Sequence, residues 1–440
     1  MASLHFLFKH KLLLLLFLIF SLTKHSFSSN EQSLVLSLKT QKKSSHLSTP
    51  NTTTTTTKLT FHHNVSLTVS LSVGTPPQMV TMVLDTGSEL SWLHCKKEPG
   101  LNSVFNPISS KTYSKVSCLT PTCRTRTQNL TLPVSCDSAK ICHVIVSYAD
   151  ASSIEGSLAF ETFRLGSSTQ PDTLFGCMDS GTSSNSEEDG KTTGLMGLNR
   201  GSLSFVSQLG YRKFSYCISD VDSAGVLLLG NADLPWLKPL NYTPLVKIST
   251  PLPYFDRVAY SVQLEGIKVN NKLLSLPKSI FVPDHTGAGQ TIVDSGTQFS
   301  FLLGPVYTAL KNEYLAQSKG ILRVLNDDNF VFQGAMDLCY VIESSRPIPA
   351  NIPVVSLVFD GAEMQVSGER LLVRVPGEVR GNDSVWCFTF GNSDLLGIEA
   401  FVIGHHHQQN VWMEFDIEKS RIGLAEFRCD IAGQKLGLHI

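Results

Sequence analysis

Short apolar stretches separated by turn-forming residues make up most of the chain, and this pattern predicts a mainly β protein. Each stretch is rich in β-branched or other apolar residues and is bounded by Gly, Pro, Asn or Asp, as expected for strands between turns. A helical pattern is rare, and its best candidate is Gly304–Ser318. The clearest predicted strands are Val65–Val73, Val80–Leu84, Val226–Leu229, Tyr260–Leu264, Thr291–Val293 and Val354–Phe359.

The first 28 residues have the pattern of a secretory signal peptide. Lys9 and Lys11 precede the unbroken apolar run 12–20, and small polar residues follow it. A membrane anchor is the alternative, but a bilayer span needs about 20 apolar residues. We therefore expect residues 1–28 to be removed on entry into the secretory pathway. The final compartment, whether extracellular (apoplast), endoplasmic reticulum or vacuole, is left open.

Residues 29–64 differ in composition from the rest of the chain. They are rich in Ser and Thr, include a run of threonines at 52–57, and are not expected to form a core. The whole chain has 36 Lys+Arg and 37 Asp+Glu, but seven of the basic residues and one acid precede residue 65. The remaining 29 basic and 36 acidic residues give the body a net charge of −7. Residues 29–64 are thus predicted to be either a basic pro-segment lying across an acidic cleft or a solvated linker.

Charge and cysteine usage narrow the function classes. The chain has no broad basic excess, which argues against a nucleic-acid partner. Its ten cysteines, behind a signal peptide, are expected to form disulfides rather than free thiols. Four of them lie close together and suggest a stapled loop rather than a zinc site: Cys118, Cys123, Cys136 and Cys142. Five candidate N-glycosylation sites fit the same compartment: Asn51, Asn64, Asn129, Asn241 and Asn382.

One sequence unit occurs twice. Thr81–Ser88 (TMVLDTGS) resembles Gln290–Thr297 (QTIVDSGT), and in each an apolar strand ends in an acid, a hydroxyl residue, a glycine and a second hydroxyl residue. Each copy is followed by an apolar-apolar-Gly element, Leu195–Gly197 or Val402–Gly404. The acid and that glycine are 112 residues apart in the first copy (85 to 197) and 110 in the second (294 to 404). Two matched units at matched spacing predict a duplicated fold.

The two acids of the repeat, Asp85 and Asp294, are candidates for acid–base catalysis. If a pseudo-twofold axis brings them into one cleft, the two carboxylates share a proton because they cannot both ionise. The glycine of each unit lets backbone N–H approach the carboxylate, and Ser88 and Thr297 can donate hydrogen bonds to it. One acid can then deprotonate a water while the other protonates a carbonyl oxygen. Such hydrolysis of an amide requires no metal or cofactor.

These residues resemble the pepsin-like aspartic peptidases, and more narrowly the plant nepenthesin-type branch. Asp85–Trp92 (DTGSELSW) is similar to the "promotion of cell survival" aspartic proteases within it. The resemblance extends over about 65–430 and implies a bilobal all-β fold with a cleft between pseudo-twofold-related lobes, 65–245 and 246–440. It implies a catalytic dyad of Asp85 and Asp294. The implied dyad support comprises Thr86, Gly87, Ser88, Ser295, Gly296 and Thr297.

The resemblance also assigns roles outside the two acids. Thr86 and Ser295 match hydroxyl residues that brace the two loops against each other. Tyr148 falls where the family has the tyrosine of a hairpin flap that closes over substrate, and Trp92 falls where a tryptophan hydrogen-bonds that tyrosine. Ordinary aromatic packing is the alternative for both. By analogy the disulfides pair Cys95–Cys177, Cys118–Cys142, Cys123–Cys136, Cys217–Cys429 and Cys339–Cys387, although the sequence alone does not fix the pairing.

Three features depart from the family pattern. Lys96–Glu98 follows Cys95, where the branch has a second cysteine pair, and the predicted flap has no glycine at its tip, which implies a stiffer flap. His405–His407 follows Gly404, where the branch has Asn and other polar residues. Consecutive residues of a strand point to opposite faces, so at most two of these histidines would converge on a metal. Surface histidines are therefore expected there, and no metal site.

The sequence therefore predicts a monomeric, secreted aspartic endopeptidase that acts on protein or peptide substrates. An acid pH optimum and a preference for bulky apolar residues are expected, and the resemblance implies a role in plant cell survival or developmental proteolysis. The alternative is a non-catalytic protein of the same fold that binds and inhibits a glycan-degrading enzyme. Such relatives typically break one catalytic motif, whereas both motifs are complete here.

Overall fold

The computed structural model describes residues 33–42, 65–182, 190–220 and 225–438. Strands dominate these residues, and the predicted helix is present with its predicted bounds, Gly304–Ser318. The predicted strands are also present, except that Tyr260–Leu264 is divided between two strands at Gln263. The predictions that lie on 1–32 and 43–64, namely the signal peptide, most of the pro-segment, Asn51 and Asn64, fall outside the described residues.

Within the described residues, the first half of the chain contributes 13 strands to one large sheet. They are β1 (Leu34–Lys42), β2 (Val65–Val73), β3 (Gln78–Asp85), β4 (Trp92–His94), β5 (Ser114–Lys115), β6 (Ser135–Cys136), β7 (Cys142–Ser147), β8 (Ser153–Leu165), β9 (Ser168–Thr182), β10 (Gly194–Gly197), β11 (Lys213–Cys217), β12 (Gly225–Leu229) and β13 (Asn241–Pro244).

The second half contributes three smaller sheets and two strands of the large one. Its strands are β14 (Ser261–Val262), β15 (Leu264–Val269), β16 (Lys272–Leu273), β17 (Gln290–Asp294), β18 (Ser300–Leu302), β19 (Arg323–Val324), β20 (Cys339–Glu343), β21 (Val355–Phe359), β22 (Ala362–Val366), β23 (Leu372–Arg380), β24 (Asp383–Phe388), β25 (Phe390–Asn392), β26 (Ala400–Gly404), β27 (Val411–Asp416) and β28 (Arg421–Glu426).

The helices of the described residues are short apart from one. They are α1 (Phe205–Gln208), α2 (Gly304–Ser318), α3 (Gly368–Leu371) and α4 (Ala432–Lys435), and the single-turn segments are Pro107–Ser109, Thr122–Arg126, Lys278–Phe281, Ser393–Leu396 and Cys429–Ile431. The longest, α2, has a proline in its first turn, where the missing N–H costs no hydrogen bond. Its side chains Val306, Leu310 and Tyr314 are fully buried in the core of the second lobe.

A shared sheet joins the two lobes. Strands β27 and β28, from the end of the chain, pair with β11 and β13 from its middle, so both halves contribute to one 15-stranded sheet. Across this junction Phe214 and Phe415 stack with ring centroids 4.6 Å apart, and Tyr260 packs edge-on against Phe415. Aromatic contacts of this kind add to the burial of apolar surface. The lobes are therefore connected by a continuous core.

The strand β1 corrects part of the prediction for residues 29–64. It lies between β12 and β2 and pairs antiparallel with both, and Leu36 and Leu38 are buried in the main core. Leu34 packs against the same core and Val35 against a second cluster, so both faces of the strand contact apolar residues. The apolar run 34–36 is typical of such a strand, but the Ser/Thr-rich composition around it obscures the pattern. The expectation that residues 29–64 form no core is therefore wrong for Leu34–Lys42.

All ten cysteines form disulfides, as expected, but two pairs differ from the analogy. Cys118 bonds to Cys136 and Cys123 to Cys142, so the predicted pairs Cys118–Cys142 and Cys123–Cys136 are wrong. Cys118, Cys123 and Cys142 all lie in one buried cluster. Cys136 instead lies on the exposed edge strand β6, beside which the Cys118 sulfur lies, 3.9 Å from Ser135 O. The other three pairs are as predicted: Cys95–Cys177, Cys217–Cys429 and Cys339–Cys387.

Candidate active site

The fold brings the two repeat units together in matching settings. Strand β3 ends at Asp85 and runs parallel to β10, which places Asp85 opposite Gly197. Strand β17 ends at Asp294 and runs parallel to β26, which places Asp294 opposite Gly404. The two apolar-apolar-Gly elements are thus the direct sheet neighbours of the two acids. The equal spacing in the sequence reflects this repeated register.

Each carboxylate accepts hydrogen bonds from its own loop. Asp85 Oδ1 accepts from Gly87 N–H at 2.7 Å and Oδ2 accepts from the Ser88 hydroxyl. Asp294 Oδ1 accepts from Gly296 N–H at 2.9 Å and Oδ2 accepts from the Thr297 hydroxyl at 2.6 Å. The turn after each strand therefore holds its carboxylate in one orientation.

The hydroxyl residues between acid and glycine tie the two loops to each other. Thr86 N–H donates to Ser295 Oγ at 3.0 Å, and Ser295 N–H donates to Thr86 Oγ1 at 2.9 Å. Each hydroxyl then donates to the strand of the opposite loop, Thr86 to Val293 O at 3.2 Å and Ser295 to Leu84 O at 2.9 Å. Both side chains are fully buried. This reciprocal network fixes the separation of the two acids.

Glycine is required in both loops because each lies against the acid of the other lobe. A Cβ placed on Gly87 would be 2.9 Å from Asp294 Oδ1, and one placed on Gly296 would collide with Asp85 Oδ1. The Cβ on Gly87 would also lie 3.2 Å from Asp85 Oδ1, so both carboxyl groups border the same loop. Burial, followed by the negative charge of Asp294, raises the pKa of Asp85 to about 7. The charge of Asp294 thus acts on Asp85, as expected for two acids in one cleft.

The predicted flap is a hairpin formed by β7 and β8, which pair from His143–Ser157 to Ser147–Ser153. Tyr148 begins its tip, and the Trp92 indole N–H donates to the Tyr148 hydroxyl at 2.6 Å. Burial and then the charge of Asp85 raise the pKa of Tyr148 above its usual range. The tyrosine therefore stays neutral and close to Asp85. At the tip Ala151 has a φ of 66°, a conformation in which glycine would be unstrained.

Two serine–glycine pairs that support the acid loops were not predicted from the sequence. The Gly197 N–H donates to Ser91 Oγ and the Gly404 N–H to Ser300 Oγ, both at 3.0 Å. Each serine is six residues after its acid, so the repeated Asp-x5-Ser spacing could have revealed them. Gln408 Nε2 also donates to Asp294 O at 3.3 Å. No motif marks this glutamine, because it reaches the site through a turn.

The three histidines are not on the surface, so that prediction is wrong. They lie in a turn after β26 rather than on a strand, and His405 and His407 are fully buried. His406 packs edge-on against Phe299 and hydrogen-bonds Arg370 O at 3.0 Å. In the part of the chain that the structure describes, no group of three His, Cys, Asp or Glu side chains is arranged to hold a metal ion.

The chain matches two family models in sequence order. The model described as "Xylanase inhibitor N-terminal" matches residues 67–231, and that described as "Xylanase inhibitor C-terminal" matches residues 259–426. Together they cover both lobes and leave the connection around residue 245 unmatched. Strand β13 ends at Pro244, at the predicted boundary between the lobes.

A curated relative shows the family. "Aspartic proteinase PCS1" of Arabidopsis thaliana is 62% identical over 412 residues, 92% of this chain and 90% of that protein. The chain belongs to the pepsin-like aspartic proteinases of plants. This aspartic proteinase is also 30% identical over 368 residues to "Aspartic proteinase nepenthesin-1" of Nepenthes gracilis, covering 82% of this chain and 77% of that one. The predicted family and the predicted aspartic-type endopeptidase are thereby confirmed.

A solved structure of low sequence identity supports the fold. "Crystal structure of edgp" matches with a TM-score of 0.66 at 20% identity, covering 92% of this chain and 96% of that chain. The prediction of a bilobal, pepsin-like, mainly β fold is confirmed. None of the helices among the described residues has the length and apolar character to cross a membrane.

Proposed function

We propose that this aspartic proteinase cleaves peptide bonds with a water molecule activated between Asp85 and Asp294. The observation that carries the proposal is the pair of loops tied by Thr86 and Ser295, which brings each acid against the glycine of the other loop. The ionised acid accepts a proton from the water. The protonated acid donates to the substrate carbonyl oxygen, and a tetrahedral intermediate forms. Collapse of this intermediate transfers a proton to the leaving amine and restores the shared proton.

The tip of the flap hairpin completes the proposed site beside the two acid loops. Trp92 holds the Tyr148 hydroxyl beside Asp85, so the tyrosine covers the dyad from the flap side. Closure of the hairpin over a peptide would exclude water other than the attacking molecule and strengthen the polar interactions within the site. We assign Tyr148 and Trp92 to substrate positioning rather than to proton transfer.

The preference for bulky apolar residues is proposed from the family resemblance alone. A cavity of about 560 Å³ lies near the start of β17, and the residues that line it include Asn129, Asp256, Arg257 and Glu399. Neither acid of the dyad lines this cavity, so it gives no support to an apolar subsite. Cleavage of a peptide library in which the residues flanking the scissile bond are varied tests the preference.

Substitution of the acids tests the proposal. We expect Asp85→Asn and Asp294→Asn each to lose peptide hydrolysis at pH 3–5 by at least about 10³-fold, since neither half can perform both proton transfers. Pepstatin, a mimic of the tetrahedral intermediate, should inhibit the wild type in the same range. The control Asn382→Gln changes an exposed residue far along the chain and should keep full activity. Undiminished hydrolysis by Asp85→Asn would refute the mechanism.

A non-catalytic inhibitor is the second candidate, and the descriptions of the two family models favour it. Both acids, both glycines and the reciprocal hydroxyl bonds are nevertheless intact in this chain. The inhibitor function predicts that no peptide is cleaved and that a xylanase is bound tightly. Measurement of xylanase activity with and without the purified protein separates the two candidates.

We further propose a secreted, glycosylated monomer that acts in plant cell survival or developmental proteolysis. Five disulfides fit the secretory pathway, and the sequon residues Asn129, Asn241 and Asn382 are all exposed. The net charge of −7 from residue 65 onward gives no support to nucleic-acid binding. Residence in the apoplast, the endoplasmic reticulum or the vacuole is to be separated by imaging a tagged chain.

The position of β1 limits which residues activation can remove from the proposed zymogen. Because Leu36 and Leu38 lie in the core, we propose that activation leaves Leu34–Lys42 in place. Cleavage on activation is then confined to the residues before β1 and to the connection 43–64. An Asp294→Asn precursor that is trimmed at low pH as fast as wild type would rule out self-processing.

A further inference from the structure

The second acid loop contains a buried group that the first loop lacks. In both loops a serine accepts the N–H of the glycine beside the acid, Ser91 from Gly197 and Ser300 from Gly404. Ser300 also contacts His407, whose Nδ1 lies 2.6 Å from Ser300 Oγ. Since Gly404 is the register partner of Asp294, this imidazole is two hydrogen bonds from the backbone that flanks the acid.

Hydrogen bonds, ring stacking and burial hold the His407 side chain in place. Its Nε2 lies 2.7 Å from Thr389 Oγ1, and its ring stacks on Phe390 with centroids 4.2 Å apart. The side chain is fully buried. Strand β25, which begins at Phe390, pairs with β18 at Ser300, so the same two strands hold the ring and its hydrogen-bond partner. The imidazole therefore has one available position.

The partners determine where the protons lie. The Thr389 hydroxyl donates to Arg370 O at 2.8 Å, because a carbonyl can only accept. Thr389 Oγ1 must then accept from His407, so Nε2 carries a proton. In the neutral ring Nδ1 is bare and accepts from the Ser300 hydroxyl, which leaves the Ser300 lone pairs for Gly404 N–H. The chain of donors and acceptors thus runs in one direction, and every member is satisfied.

We propose that His407 is a positioning residue that orients Ser300 as the acceptor for Gly404 N–H and thereby fixes the backbone beside Asp294. The inference rests on the proposed function, because it assigns the effect of His407 to the placement of a catalytic acid. It adds to that function an imidazole from the turn after β26, on which the geometry of one acid depends.

The neutral state of the ring follows from its surroundings. The titratable and charged groups that face it are His405, His406 and Arg370, and all of these are basic. Burial first, and then these neighbours, hold the pKa of His407 well below its usual range. Protonation would place a second N–H against Ser300 Oγ. Within the described residues the Ser300 hydroxyl contacts only Gly404 N and His407 Nδ1, so its proton would be left without an acceptor.

The first lobe serves as an internal control. Three residues after Gly197, at the position equivalent to His407, the chain has Arg200. Its guanidinium points away from Ser91 and donates to Ala259 O at 3.0 Å. Ser91 therefore makes the same bond to glycine without an imidazole behind it. Removal of His407 should disturb Ser300 and leave Ser91 unaffected.

Kinetics of the full-length enzyme with a fixed peptide test the proposal. We expect His407→Phe, which keeps the stacked ring but loses both nitrogens, to lower kcat about 10- to 100-fold with KM within about twofold, as for a slightly displaced catalytic group. His407→Asn, which restores an acceptor near Nδ1, should recover most of kcat. Adding Ser300→Ala to His407→Phe should cost little more, whereas adding Ser91→Ala should multiply the losses.

A second measurement separates this inference from the proposed function. In ¹⁵N NMR of the wild type labelled at histidine, the His407 resonances are those that the His407→Phe variant lacks. At pH 4, where exposed histidines are cationic, these resonances should show a bare Nδ1 and a protonated Nε2. A cationic His407 at pH 4, or a normal kcat in folded His407→Phe, would overturn the inference while leaving the dyad intact. Full activity of Asp85→Asn would instead refute the dyad, whatever the NMR shows.

Discussion

Asp85 and Asp294 occupy matching loops but differ in burial. The side chain of Asp85 is 6% exposed, whereas Asp294 is only partly buried. Burial disfavours the charged form of a carboxyl group, and a neighbouring carboxylate adds to this effect. The same two causes raise the pKa of Asp85 to about 7. Burial and the charge of Asp294 thus favour the protonated form of Asp85.

This asymmetry predicts how Asp85→Asn changes stability with pH. A carboxyl group whose pKa is raised by folding stabilises the folded state at low pH, and that contribution is lost as pH rises from about 4 through about 7. The amide has no such dependence. We expect Asp85→Asn and wild type to have similar Tm at pH 4, with the variant more stable at pH 8 by a few kcal/mol at most. Calorimetry at both values checks this, and a constant difference would contradict it.

The contribution of His407 to stability should change with pH in the opposite direction to that of Asp85. A buried histidine that stays neutral costs stability below the ordinary histidine pKa of about 6.5, since the unfolded chain binds a proton that the folded chain does not. His407→Phe should therefore be less stable than wild type at pH 7, because it loses two hydrogen bonds, but the gap should narrow toward pH 4. Denaturant unfolding at the two pH values measures it. A gap that widens on acidification would be inconsistent with a neutral imidazole.

Individual site residues could be predicted only where the two matched sequence units contain them. The acids, glycines and hydroxyl residues stand in two aligned runs, so their shared setting could be read from the chain. Gln408 bonds the backbone of Asp294 and His407 contacts Ser300, both from the turn after Gly404. The direction of a side chain in a turn depends on backbone angles that strand periodicity does not report.

At the scale of elements, the flap tip contains a residue in a costly conformation. Ala151 adopts a φ of 66°, which costs an L-residue with a Cβ about 1 kcal/mol. The tip is nevertheless closed by Tyr148 N–H to Ser152 O at 3.0 Å and Ala151 N–H to Tyr148 O at 3.1 Å. The strain makes the turn easier to open than its hydrogen bonds suggest.

Two glycine substitutions in the flap should therefore act in opposite directions. Ala151→Gly relieves the strain and should slow hydrogen exchange of the Tyr148 and Ala151 amides about fivefold. Ala149→Gly, at a position without a positive φ, should speed exchange because glycine gains freedom in the open state. Exchange measured by NMR or mass spectrometry on the free enzyme gives both values. Equal effects of the two variants would show that Ala151 is unstrained.

The strand β1 is a second element with a testable consequence. Leu38 is 2% exposed and packs in the main core, whereas the neighbouring Lys39 is exposed. If β1 remains in the active enzyme, Leu38→Ala should lower its free energy of unfolding by about 2–5 kcal/mol. The control Lys39→Ala should change it by less than about 0.5 kcal/mol. An active enzyme whose stability is insensitive to Leu38→Ala would mean that β1 is released on maturation.

Element prediction succeeded where periodicity and length agreed, and failed where composition dominated. The helix Gly304–Ser318 and the strand Val65–Val73 were predicted to the residue. The strand β1 was missed because the Ser/Thr content of its surroundings outweighed its short apolar run. The exchanged disulfides depend on which cysteines the folded loop brings together, and spacing along the chain carries no information on that.

At the scale of the whole molecule, the dyad depends on contacts between distant parts of the chain. Thr86 and Ser295, separated by 209 positions, exchange hydrogen bonds, and the sheet around β11 and β27 joins both halves. Cys217 and Cys429, 212 positions apart, covalently link the same region. The duplicated sequence predicted two lobes and a cleft. It could not show that the early strand β1 lies between β2 and β12 in the shared sheet.

The pH dependence of kcat/KM for a fixed peptide tests the central claim most directly, because it reports the ionisation of the free enzyme's acid and base. If Asp85 and Asp294 share one proton, the wild type should be most active in the acid range. Its activity should then fall as pH rises toward and above about 7, and Asp85→Asn and Asp294→Asn should be inactive throughout. Activity that keeps increasing through pH 8, or that survives in either variant, would contradict the account.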